Sequence, residues 1–193
     1  MSREDILNRI KRSKPSLVLL PEIDLNKFKV ETNKLNEFIL NTESTGGKAV
    51  QVKDKTDIIL NIKKLFPEAK KIISAADGID LSTIDVNKIS SAKELDKLDI
   101  AILEGQFGVA ENGAVWLSDT NFSLRSIPFI CANLIIVLDK NKIFENMHEA
   151  MLEIENFNEG YGVFISGPSK TADIEQSLVI GAQGPLSLTV FLI

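Results

Sequence analysis

The chain has 193 residues, 44% hydrophobic and 25% charged, a composition far from that of disordered chains and a size that suits one compact domain without disulfide or metal. Its 27 acidic residues outnumber 22 basic ones, a formal net charge of −5, which argues against a general nucleic-acid-binding surface. The lone Cys131 cannot form an internal disulfide, and with the only histidine, His148, it supplies too few ligands for a zinc cage or an iron–sulfur cluster in this chain.

The N-terminus, Met1-Ser2-Arg3-Glu4-Asp5, carries acids where a signal peptide needs a basic start and an apolar run, so a cytoplasmic address is expected. The longest apolar runs fall well short of the roughly 20 residues of a spanning helix, so no membrane contact is expected. Residues 2–14 predict a short amphipathic helix. Ser2 is placed to cap it, Glu4 and Asp5 sit in the first turn, Ile6, Leu7 and Ile10 share a side, and Arg9, Lys11, Arg12 and Lys14 gather where the helix dipole favours cations. That basic cluster reads as a solvated helix end. After Pro15 and Pro21, the spacing of Leu25, Phe28, Leu35, Phe38 and Ile39 predicts a second helix ending by Gly46-Gly47. Residues 1–45 are thus expected to form a helical region packed on a single domain spanning 1–193.

From there the apolar period alternates between 2 and 3.6. It predicts a strand at 49–52, a helix at 56–66 stopped by Pro67, a strand at 71–74, and one or two helical turns over 90–97. Apart from Asp99, residues 99–103 are continuously apolar, as in a strand buried on both faces. Strands at 114–117 and 134–138 follow, then a helix over 141–155 with His148 exposed, a strand at 161–166, a helix over 171–180 and a closing strand at 186–193. Such alternation implies an α/β fold with a mainly parallel sheet covered on both faces. Sheets of this kind bind ligands in loops beyond the carboxyl ends of their strands, which points to 104–113 and 165–185.

In the first of these loops, Glu104-Gly105-Gln106-Phe107-Gly108-Val109-Ala110-Glu111-Asn112-Gly113 sets carboxylates among glycines that permit a close backbone approach. Glu111 is placed to act as base or nucleophile if its surroundings tune it. Asn112-Gly113 before an apolar strand is equally a hairpin signal. In the second, Ser166-Gly167-Pro168-Ser169-Lys170-Thr171 runs from a strand end through a tight turn toward the expected helix, whose start would offer backbone N–H groups, hydroxyls and an ammonium to a phosphate or carboxylate. Asp173 and Glu175 oppose this by bringing negative charge to the same turn. The Walker A string, the G-x-G-x-x-G fingerprint and the G-x-S-x-G elbow are all absent, and one imidazole leaves little room for a Ser-His-Asp site.

Gly108-Val109-Ala110-Glu111-Asn112-Gly113, then Gly167-Pro168-Ser169-Lys170-Thr171-Ala172-Asp173-Ile174-Glu175, then Gly181-Ala182-Gln183-Gly184-Pro185 together resemble the LUD-domain family. The resemblance is most specific from Asp99 onward. It implies a three-layer α/β/α fold similar to that of glucosamine-6-phosphate deaminase, ribose-5-phosphate isomerase and CoA-transferases. It also implies a part in oxidation of L-lactate to pyruvate alongside iron–sulfur partner subunits, with a small anionic metabolite bound by this chain. The expected ligand-binding residues are Gly108, Asn112, Gly113, Gly167, Pro168, Ser169, Lys170, Thr171, Asp173, Glu175, Gln183 and Gly184, with no metal and no assigned cofactor. Gln183 stands where many relatives carry histidine, so hydrogen bonding survives there and proton transfer does not. Ala110-Glu111-Asn112-Gly113 also resembles the S-E-N-G motif of CoA-transferases, whose glutamate forms a covalent intermediate. This leaves a Glu111-dependent transferase or isomerase, or a non-catalytic binding module, as alternatives.

Overall fold

A computed structural model describes residues 2–19, 21, 24, 27, 33–89, 91–120, 122, 124–154, 160–171 and 179–193. Its frame is a five-stranded, all-parallel sheet built from β1 (Lys48–Gln51), β2 (Ile72–Ser74), β3 (Ile100–Glu104), β6 (Asn133–Leu138) and β11 (Ser187–Leu192), in the order β1-β11-β6-β3-β2. The continuous apolar runs of the central strands follow from burial on both sides. Along β6, Leu134, Ile136 and Leu138 enter one core while Ile135 and Val137 enter the other. Ala101 and Leu103 alternate with Ile100 and Ile102 in β3 in the same way.

Helix α3 (Lys55–Leu65) covers one face, its Ile58 and Ile62 buried against Ile100, Ile135 and Phe191. The other face is covered by α2 (Lys34–Ser44) through Phe38 and by the short α4 (Ile127–Ile130) through Ile127. Helices on both faces give the expected three-layer α/β/α arrangement. Asp99 locks the entry to β2 and β3: its carboxylate accepts the N–H groups of Lys70 and Lys71, both at 2.8 Å, and these donors hold its pKa below the usual carboxylate range.

A second, four-stranded sheet lies over the α2 face. It comprises β4 (Phe107–Val109), β5 (Ala114–Ser118), β7 (Ile143–Phe144) and β8 (Gly162–Ile165), in the order β7-β4-β5-β8. Val115 and Leu117 point into the main core, while Phe107 and Val109 point outward to Ala150 of α5 (Met147–Ile154). Gly108 is buried between them in β4, where a Cβ would come within 2.8 Å of the Phe38 ring and 2.9 Å of Leu138.

Two predicted helices are corrected. Of the helix expected over 141–155, only Met147–Ile154 is helical; Ile143–Phe144 pairs in parallel with Gly108 and Val109, and Asn146 accepts the Glu149 N–H at the helix start. The ends of the helix expected over 171–180 are strands, β9 (Lys170–Thr171) pairing antiparallel with β10 (Val179–Ile180), while 172–178 lie outside the described residues. Thr171, Val179 and Ile180 are β-branched, which favours this ribbon over a helix end. The first helix, α1 (Arg3–Ser13), forms as expected with Ser2 as its cap but buries none of its residues. Leu25 and Phe28, assigned to the start of the second helix, lie outside the described residues, and α2 itself starts from its Asn33 cap.

Cys131 is buried at the end of α4, and desolvation pushes its thiol up to about 12. The folded protein is therefore expected to leave a water-soluble disulfide reagent almost unreacted at pH 8, with one thiol per chain titrating only in denaturant. Rapid labelling of the folded protein would contradict this packing.

Candidate functional site

Both loop groups reach one rim, and the last turn of α2 brings them there. After β3 the chain reverses at Gly105, whose N–H donates to the Val137 carbonyl, and β4 runs back over the sheet. Gly113 N–H donates to Val109 O and Asn112 Oδ1 accepts from Ala114 N, closing the β4–β5 hairpin that Asn112-Gly113 foretold. Asn41 Nδ2 of α2 donates to Ala110 O at 2.8 Å, and Thr42 Oγ1 donates to Gly113 O at 3.4 Å. Gly113 has φ +64°, and a Cβ on it would lie 2.4 Å from Thr42 N. Gly167 repeats the device from the other side: φ is +72°, and a Cβ would lie 2.5 Å from Thr45 O. The Ser166 hydroxyl donates to Asn112 O at 2.8 Å, joining the two segments directly.

The hollow at this junction, of about 310 Å³, is walled by 164–170 and 183–185 and floored by Pro128 and Phe129 of α4. Ser169 N–H donates to Pro185 O and Gly181 N–H to Ser169 O, so the two walls are tied backbone to backbone. Gly184 keeps the passage open, since a Cβ there would lie 3.0 Å from the Ser169 Cβ. Pro168 is buried, while Lys170 and Gln183 are exposed at the mouth. Lys170 is the only charged side chain among the described lining residues. The described lining thus carries one positive and no negative side chain.

The expected position of the site is corrected by the sheet. Strand β8 is antiparallel to β5 in the mixed sheet, so the loop after it lies beyond no parallel strand. The hollow instead adjoins α4 and residues 183–185, which precede β6 and β11, and thus sits at the amino ends of the parallel strands. The anion cradle expected at a helix start is likewise absent at Lys170-Thr171, which form a strand.

Of the residues expected from sequence, Gly167, Pro168, Ser169, Lys170, Gln183 and Gly184 gather around the hollow. Thr171 follows in β9, half-buried, while Asp173 and Glu175 lie outside the described residues. Gly108 belongs to the core, and Asn112 and Gly113 form the hairpin turn that supports Ser166. Glu111 is not among the lining residues; its Oε2 accepts the Met147 N–H at 3.0 Å, at the first turn of α5. Sequence reasoning missed Phe129 and Phe164. Phe129 is exposed beside Pro128 at the start of a four-residue helix, a pattern too short to read as an element. Among the described residues there is no cluster of three or more metal-ligating side chains, and no helix is long and apolar enough to cross a membrane.

The capping geometry of Glu111 sets a stability expectation. Glu111→Ala should lower the unfolding free energy by about 1 kcal/mol, as loss of a helix-start acceptor does, whereas Glu111→Gln keeps an acceptor oxygen and should lose less. Urea titrations of both variants check this, and equal losses would contradict it.

Comparison with known proteins bears on the family and the fold. Residues 74–193 match the LUD domain model. The chain is 34% identical over 102 residues to Lactate utilization protein C of Shouchella clausii strain KSM-K16, an alignment covering 50% of this chain and 44% of that one. With Lactate utilization protein C of Macrococcus caseolyticus strain JCSC5402 it shares 31% identity over 129 residues, 60% of this chain and 55% of the relative. The chain thus spans about half the length of the curated relatives it matches. A crystal structure of a DUF162 family protein from Deinococcus radiodurans superposes with a TM-score of 0.61 at 18% identity, covering 82% of this chain and 95% of that one, which shows the fold. With the matched segment holding β3 to β11 and every wall of the hollow, this chain belongs to the LUD domain family.

Proposed function

We propose that this protein serves L-lactate utilisation as a binding subunit that holds a small carboxylate in the hollow at the amino ends of the sheet, while iron–sulfur partner proteins carry the oxidation to pyruvate. The observation that carries this reading is Lys170, the one charged side chain among the hollow's described lining residues, which shares that lining with Ser169 and Gln183. An ammonium gives an anion a charge-assisted hydrogen bond, and a hydroxyl and an amide can donate to, or accept from, a neighbouring hydroxyl or keto oxygen. Gly167 seats this wall against Thr45, Gly184 leaves room beside Ser169, and Pro168 stiffens the wall between Gly167 and Ser169. The relatives named for lactate utilisation point to the 2-hydroxy or 2-oxo acid as that carboxylate.

The chain's own part in this reading is recognition. Gln183 orients by hydrogen bonding and shuttles no proton near neutral pH. Glu111 sits against α5 as a helix-start acceptor, and Asn112 and Gly113 support the wall through Ser166.

Calorimetric titration with L-lactate and with pyruvate tests the proposal. At least one acid should bind the unmodified protein, and Lys170→Ala should weaken that binding about tenfold or more, the usual scale for a hydrogen bond to a charged group. The isolated chain should not oxidise L-lactate, and co-expression with iron–sulfur partners should yield a stable complex. Failure of both acids to bind, or lactate oxidation by the purified single chain, would overturn it.

A further inference from the structure

Residues 2–19 of the N-terminal arm are all exposed, with none buried among the described residues. Helix α1 buries no residue, and Ile6, Leu7 and Ile10 share one side at 46%, 44% and 51% exposure. Beyond Pro15, Leu17, Val18 and Leu19 are exposed at 91%, 82% and 83%. The capping box formed by Ser2 and Asp5 supports the first turn. A helix of 11 residues is nevertheless marginal in water without an apolar surface to pack on.

Charge indicates what that surface is. The arm carries Arg3, Arg9, Lys11, Arg12 and Lys14 against Glu4 and Asp5, a formal +3, which leaves −8 on the rest of a chain whose total is −5. Such a body repels an anionic membrane and attracts the arm of another copy. Within that body α5 is the best match. Met151 and Leu152 are 52% and 53% exposed on it, and 145–154 holds Glu145, Glu149 and Glu153 with no lysine or arginine. Helix α3 exposes Leu60 and Leu65 but carries Lys55, Lys63 and Lys64, and Leu40 is the one large apolar side chain that α2 exposes among its described residues.

We propose that α1 of one chain packs on α5 of a second copy, with Ile6, Leu7 and Ile10 against Met151 and Leu152 and the cations of α1 facing the carboxylates of α5. The exchange is reciprocal, since each copy presents both helices, and it closes a twofold dimer. Stable dimers bury on the order of 1,200 Å² or more, and the reciprocal exchange brings two helix pairs toward that area.

Light scattering on the full chain tests this at low and high ionic strength. The expected result is a dimer at low salt that dissociates as salt screens the charges. Removal of residues 2–19, or Met151→Glu with Leu152→Glu, should give a monomer. Because the arm and both side chains are outside the core, circular dichroism should show the fold intact in each variant. Oxidation of the Ile10→Cys, Met151→Cys protein should link two chains. A monomer at every concentration, a dimer indifferent to loss of the arm, a disulfide closed within one chain, or a monomer carried down by phosphatidylglycerol vesicles would each overturn the proposal.

Discussion

At Gly113 and Gly167 two turns come so close to the last turn of α2 that no side chain fits. A Cβ would stand 2.4 Å from Thr42 N at one and 2.5 Å from Thr45 O at the other, and both residues have positive φ. An L-residue there meets backbone atoms that cannot move aside, in a conformation it already disfavours. This double approach decides where the hairpin tip and the Gly-Pro turn lie, and Ser166 then joins them through Asn112. The hollow, its Lys170 mouth and its tie from Ser169 to Pro185 all follow from that placement.

The site is thus built from the backs of turns. Its chemistry is sparse: hydroxyl, amide and ammonium groups over a floor of proline and phenylalanine. The proposed carboxylate would meet one ammonium, from Lys170, with a hydroxyl and an amide for its adjoining oxygen.

The parallel sheet was legible because its strands answer to one constraint. Residues 100–103 and 134–138 are buried on both faces, so their apolar runs are unbroken and short. The Asn112-Gly113 hairpin was legible for a local reason, the turn geometry that this pair favours. Of the hollow's lining, Gly167, Pro168, Ser169 and Lys170 were legible both from the turn after a strand and from the family strings, whereas Gln183 and Gly184 came from the family strings alone. What escaped was set by tertiary pairing. Ile143–Phe144 reads as part of a helix until Gly108 and Val109 offer it a strand partner, although Asn146 followed three residues later by Glu149 marks the true helix start. Thr171 and Val179 likewise become strand by pairing with each other across the intervening segment. The rim was misplaced because β8 belongs to a sheet that periodicity cannot tell apart from the first.

Backbone amide shifts of the labelled protein, followed during titration with pyruvate and L-lactate, test the central claim that the anion sits in this hollow. The account predicts shifts concentrated at Gly167, Ser169, Lys170, Gln183 and Gly184, fading toward Glu111. Shifts centred instead on the hydroxyl-lined hollow beside Ser74 and Ser82, or at the carboxyl ends of β3 and β6, would contradict it.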